Sequence, residues 1–297
     1  MTDNRPEIPQ EAFDWYDDYA HGGMDRRTFM KKLTGLVALG YSMSVLTGAL
    51  LPNYALAEQV SFNDSDIYAT YETFDSPDGH EKGRGYLVKP TAGNGPFPVV
   101  LVVHENRGLN PYIKDVARRL AKAGFMAFAP DALFPVGGYP GNDDQGRELQ
   151  RGLDRQKIEQ DFLAAARFLK AHPLSNGKLG AVGFCFGGYI VNFLAAVDSA
   201  LLSAGVPFYG TPAAKSLRAN ITAPLMIQLG ELDERVNKTY PEYEQDLKKA
   251  GVDYIIHRYD NAKHGFHNDS TARYDQANAE LAWQRTLDFF SQHLQTA

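Results

Sequence analysis

Apolar and polar positions along most of the chain follow two rhythms, one of period two and one of helical period. Residues 66–75 and 83–89 alternate and read as an antiparallel strand pair joined by the turn Ser76-Pro77-Asp78-Gly79. Residues 98–103, Pro98-Val99-Val100-Leu101-Val102-Val103, form an unbroken β-branched run of the kind buried on both faces of a sheet. A helical pattern follows Pro111, with Ile113, Val116, Ala117 and Leu120 on one face. The alternation then continues: strand 124–130, helix 157–172, strand 179–184, helix 187–197, strands 204–209 and 224–229, helix 240–250, strand 254–259 and closing helix 272–294. Strand and helix taking turns predicts an α/β fold with a mostly parallel central sheet and helices on both faces. Reactive groups in such sheets sit just past the carboxyl ends of the strands.

The first fifth of the chain follows neither rhythm. Residues 1–24 are polar and acidic, without an apolar period. Then come Asp25-Arg26-Arg27-Thr28-Phe29-Met30-Lys31-Lys32, an uncharged run over 33–51 containing Gly35, Gly40 and Gly48, and Pro52. Ala55-Leu56-Ala57 is a small-x-small triplet of the type signal peptidases cut. The order is that of an export signal, and its paired arginines resemble the twin-arginine type, with Asp25 in place of the usual Ser or Thr. The competing reading is an uncleaved membrane anchor, for which the run is just long enough. Either way the remainder is expected outside the cytoplasm, in a bacterial periplasm, with the twin-arginine export machinery as the leader's partner. The chain thus divides into an export signal, 1–57, and a single domain, 58–297.

Composition narrows the classes. One cysteine excludes an intramolecular disulfide framework and Cys-rich metal sites, and a net charge of −6 argues against nucleic-acid partners. The single cysteine stands in Gly183-Phe184-Cys185-Phe186-Gly187-Gly188, between a predicted strand and a predicted helix. That is the nucleophile-elbow pattern of α/β-hydrolases with Cys in place of Ser, against the plainer reading of a small buried thiol. Following the strands in the order nucleophile, acid, histidine, Asp233 lies after strand 224–229 and His264 after strand 254–259. Glu231 is a rival acid and His267 a rival base; His264-x-x-His267 lacks a third ligand at useful spacing, so no metal is expected. Strand 98–103 ends in His104-Glu105-Asn106-Arg107-Gly108. The backbone N–H groups of Phe186 and Asn106 are the expected oxyanion donors. Glu105 either forms an ion pair with Arg107 or accepts the resting thiol's proton.

His104-Glu105-Asn106-Arg107-Gly108, Pro130-Asp131, Ser175-Asn176-Gly177-Lys178, the cysteine elbow and the Gly265-Phe266 pair after the histidine together resemble the dienelactone hydrolase family, from about Tyr86 to Leu294. The resemblance implies an α/β-hydrolase fold, a Cys185–His264–Asp233 triad, Glu105 as partner of the resting thiol and no cofactor. It also implies basic residues for the substrate carboxylate. Arg147 matches loosely, Arg151 falls where a tyrosine is usual, and Asn268 replaces an arginine; these departures bear on the substrate and leave the hydrolytic set intact. The expected activity is hydrolysis of small ester or lactone substrates, with the Gly-, Asp- and Arg-rich insert 133–152 walling the pocket. The rivals are a serine-type-fold esterase or peptidase of other specificity and a non-catalytic envelope protein that kept the fold.

Overall fold

The computed structural model describes residues 8–20, 23–50 and 52–295. The start of the polar leader and residue 51, where the apolar run ends, lie outside the described residues. Eight strands, β1 (Ile67–Ser76), β2 (Glu81–Pro90), β3 (Phe97–Val103), β4 (Met126–Pro130), β5 (Ser175–Phe184), β6 (Ala204–Phe208), β7 (Leu225–Gly230) and β8 (Tyr254–Tyr259), form one sheet in the order 1-2-4-3-5-6-7-8. The β1–β2 and β2–β4 pairs are antiparallel and the remainder parallel. This is the α/β-hydrolase fold expected from the sequence.

Eleven α-helices are present among the described residues: α1 (Gln10–Ala20), α2 (Arg26–Ala38), α3 (Met43–Leu50), α4 (Tyr54–Ala57), α5 (Pro111–Lys122), α6 (Asp143–Gly152), α7 (Arg155–Lys170), α8 (Phe186–Val197), α9 (Glu234–Asn237), α10 (Tyr240–Ala250) and α11 (Gln276–Leu294). Two apolar cores cover the two sheet faces, one built with α7, α8 and α10, the other with α5 and α11. Val99 to Val103 of β3 are all wholly buried, which explains why their sequence does not alternate. Burial of each such side chain contributes roughly 1.5–3 kcal/mol. This rigid centre fixes the strand ends from which the site is built.

Two sequence expectations need correction. The leader does carry an apolar period: Ala12, Tyr16 and Tyr19 line one side of α1 and pack with Phe29, Leu33, Leu36, Leu46 and Leu50. Tyrosine's polar tip hides that stripe on a hydropathy reading, although its ring packs as an apolar body. The uncharged run is divided between α2 and α3, which part around Gly40, whose φ of 104° suits glycine. The closing helix starts at Gln276 rather than at 272, because Asp275 caps it by accepting from the Asn278 N–H at 3.1 Å. Insert 133–152 ends in the helix α6, opened by an Asn142 cap. Among the described residues no helix is long and apolar enough to cross a membrane.

Candidate active site

Cys185 stands between β5 and α8 with φ 56° and ψ −111°, a backbone region that costs a non-glycine residue about 1–3 kcal/mol. The surroundings enforce it. Its N–H donates to the Phe208 carbonyl at 3.1 Å, and its own carbonyl accepts from Tyr189 N–H at 3.2 Å. A Cβ at Gly187 would run into the Val103 carbonyl, so glycine there lets the elbow press against the end of β3. The thiol remains part-exposed. Phe186 opens α8, so its N–H has no intrahelical acceptor and is available to a developing oxyanion.

Asp233 follows β7 and caps the short helix α9, accepting the Val236 N–H on Oδ1 at 3.2 Å. Its Oδ2 accepts from His264 Nδ1 at 2.5 Å. Burial works to raise the Asp233 carboxyl, but His264, the Val236 N–H and Arg235 outweigh it and hold the group below the ordinary 3.8. Burial likewise works to lower His264; the Asp233 carboxylate and the Cys185 sulfur outweigh it and raise the imidazole to about 10. Sulfur, imidazole and carboxylate thus come from residues that follow three strand ends, β5, β8 and β7. Glu231, the rival acid, is turned away: its carboxylate accepts the Asn261 N–H at 2.8 Å on the exposed side of the turn.

The loop after β3 is locked by His104. Its Nδ1 faces the Glu105 carbonyl, its Nε2 accepts the Ala132 N–H at 3.1 Å, and burial lowers its pKa, so the ring serves as a neutral bracket. That bracket fixes the backbone leading into Asn106. The Glu105–Arg107 ion pair considered above is not formed. Arg107 reaches α6 instead and donates to Asp143 Oδ2 at 2.9 Å, while Glu105 Oε2 accepts from Asn268 Nδ2 at 3.0 Å.

Residues 84–294 match the model of the dienelactone hydrolase family. The chain belongs to this family. Membership makes it a hydrolase acting on ester bonds. A putative carboxymethylenebutenolidase of Yersinia pestis is 32% identical over 222 residues, covering 70% of this chain and 83% of that protein. A putative hydrolase fragment, YghX, of Escherichia coli (strain K12) is 67% identical over 105 residues, 35% of this chain and 90% of the fragment. The crystal structure of a putative dienelactone hydrolase from Klebsiella pneumoniae superposes with a TM-score of 0.66 at 27% identity, covering 76% of this chain and 99% of that one. A second family model, YqhI-like, matches residues 2–37.

Within this dienelactone hydrolase family member the remaining candidates part company. Arg147 is buried, donates to the Tyr19 carbonyl at 2.6 Å and stacks on the Tyr19 ring, so the leader engages it. Arg151 is more than half exposed, and its nearest carboxylate is Glu148 at 3.9 Å. Both line a cleft of about 700 Å³ between α6 and the leader. His267, the rival base, is buried against Tyr112, whose hydroxyl lies 2.7 Å from Nδ1; burial and Arg119 lower it to about 3. Among the described residues no group of three or more His, Cys, Asp or Glu is placed to hold a metal.

Two neighbours of the site escaped sequence reasoning. Tyr209, directly after β6, lies buried with its ring 5.0 Å from that of His264 and its hydroxyl without a hydrogen-bond partner. The strand-end rule, applied to β6 as it was to β7 and β8, would have found it. Asn268 was noticed only as a replaced arginine, whereas its amide tethers Glu105.

Proposed function

We propose that the chain hydrolyses small esters or lactones through a covalent thioester on Cys185. The observation that carries this reading is the series Asp233–His264–Cys185 assembled at a strained elbow, with His264 raised to about 10 by its two partners. Cys185 attacks the substrate carbonyl as a thiolate paired with the His264 imidazolium, which Asp233 orients and keeps protonated at neutral pH. The oxyanion that forms accepts from the Phe186 and Asn106 N–H groups. Collapse expels the alkoxide, which takes the proton from His264. Water, deprotonated by the same imidazole, then attacks the thioester and releases the acid and the thiol. Glu105, held by Asn268, is the group we assign to the resting thiol.

Small size is favoured because the insert 133–152, with only the ten-residue helix α6, is too short for a lipase-type helical lid. For the leader we retain the export reading. Arg26 and Arg27 are exposed at the start of α2, where Asp25 caps the helix through the Thr28 N–H, and the Ala55-Leu56-Ala57 triplet is accessible, with Leu56 85% exposed. Removal of residues 1–57 would leave a periplasmic hydrolase.

The test is turnover of activated aryl esters and of a small unsaturated lactone. Cys185→Ala is expected to lower kcat/KM by roughly 10⁴-fold or more, and His264→Ala by a similar factor. Activity surviving Cys185→Ala would overturn the mechanism. A Cys185→Ala chain that traps no acyl group, beside a parent whose mass rises by one acyl unit, would complete the argument.

A further inference from the structure

Three arginines at the carboxyl end of the sheet are held by the leader rather than by the hydrolase domain alone. Arg107 Nη1 donates to the Tyr16 hydroxyl at 2.9 Å. The Arg107 and Arg273 guanidiniums lie 5.6 and 5.5 Å from the Tyr16 ring centre. Arg147 stacks 3.6 Å over Tyr19. Tyr16 and Tyr19 are only 3% exposed, and α1 is braced from behind by the leader's own core with α2 and α3. The place is next to the chemistry: Arg107 feels the charge of Glu105, and buried Tyr209 feels Glu105, Cys185, Arg273 and Asp233 together. The family match begins only at residue 84, and a solved relative covered over 99% of its length accounts for 76% of this chain. The leader therefore lies outside the residues that match the family model.

We propose that the leader gates this site by charge and that Tyr16 is the discriminating residue. An anionic substrate approaching Cys185 would seek the guanidiniums of Arg107 and Arg273, and Tyr16 already covers both with a charge-assisted hydrogen bond and cation–π contacts. Reaching them means displacing Tyr16. A small neutral ester needs only the part-exposed sulfur. The leader-bearing chain thus admits neutral acyl compounds and rejects anionic ones, and removal of the leader takes Tyr16 away from both arginines, Arg107 keeping its bond to Asp143. What passes the gate rests on the hydrolase reading above, but the gate itself does not.

Because Cys185 is the only cysteine, alkylation by a matched probe pair reads the gate without any turnover. On the full chain, the ratio of the iodoacetate rate to the iodoacetamide rate is measured for the parent, Tyr16→Phe and Tyr16→Ala. The ratio is expected to rise about threefold for Tyr16→Phe and about tenfold for Tyr16→Ala, in keeping with loss of a hydrogen bond to a charged group. A variant that merely loosens the leader speeds both probes equally; an unchanged or falling ratio in Tyr16→Ala overturns the proposal. The same ratio is then measured with an aryl hemisuccinate against its methyl ester. If the alkylation ratio rises while neither ester is hydrolysed, the gate stands and the hydrolase reading falls.

Discussion

Two turns of the loop after β8 make opposite use of histidine. His264 and His267 stand three residues apart, both buried, and burial pushes both toward the neutral form. His264 is nevertheless raised to about 10, because it faces the Asp233 carboxylate and the Cys185 sulfur. His267 faces Tyr112 and the charge of Arg119 and falls to about 3. Residue type and burial are the same; the partners decide which way each ring's pKa moves.

The change that breaks this contrast most strongly is Asp233→Asn. Without the carboxylate, His264 loses its first favourable partner and the asparagine amide permits the wrong tautomer. A loss of about 10²–10⁴-fold in kcat/KM is expected, with the His264 ring titrating well below 10 by NMR. An unshifted titration would mean the two histidines differ for another reason. The sign of the pH dependence follows from the same pair. His264 is raised above the ordinary 6.5, so its stabilisation is complete below 6.5 and lost as pH rises through about 10. Asp233 is depressed, so its stabilisation is present above 3.8 and lost as pH falls through its lower folded value.

His267→Leu sharpens the contrast from the other side. Catalysis is expected to stay within about threefold of the parent, while urea unfolding shows a loss of about 1–3 kcal/mol from the unpaired Tyr112 hydroxyl. His267 in the parent refuses a proton that the unfolded chain accepts, so its share of stability falls as pH drops from 6.5 toward 3. The variant should lose that limb of the acid-unfolding curve. The smallest effect is assigned to Asn268→Ala, which leaves Glu105 Oε2 without its donor. A fall in Tm of about 2–4 °C for each kcal/mol lost is expected by calorimetry, with about 1 kcal/mol at stake. No change in Tm would show that Glu105 finds another partner.

Much of this was legible in the chain. The β-branched run at Val99, the elbow glycines around Cys185, and Asp233 and His264 after their strands are all local signals, because a buried parallel strand and a tight strand-to-helix turn constrain the residues that make them. The misses share a different cause. Tyr16 and Tyr19 looked polar because a tyrosine's ring and hydroxyl point to different environments. Arg147 and Arg151 sit four residues apart on α6, yet one is stacked under the leader and the other faces solvent. A surface residue's partner comes from a distant segment, and spacing along the chain carries no record of it.

The sequence by itself determined the order of strands and helices, the elbow and which candidate side chains stand at the strand ends, since periodicity and turn chemistry act over a few residues. Only the tertiary structure decided which histidine meets a carboxylate, that Arg107 turns to Asp143 while Asn268 takes Glu105, and that the leader's Tyr16 lies over two arginines. Those outcomes depend on which segments the sheet brings within a few ångströms of one another, and on the charges that burial then leaves facing each group.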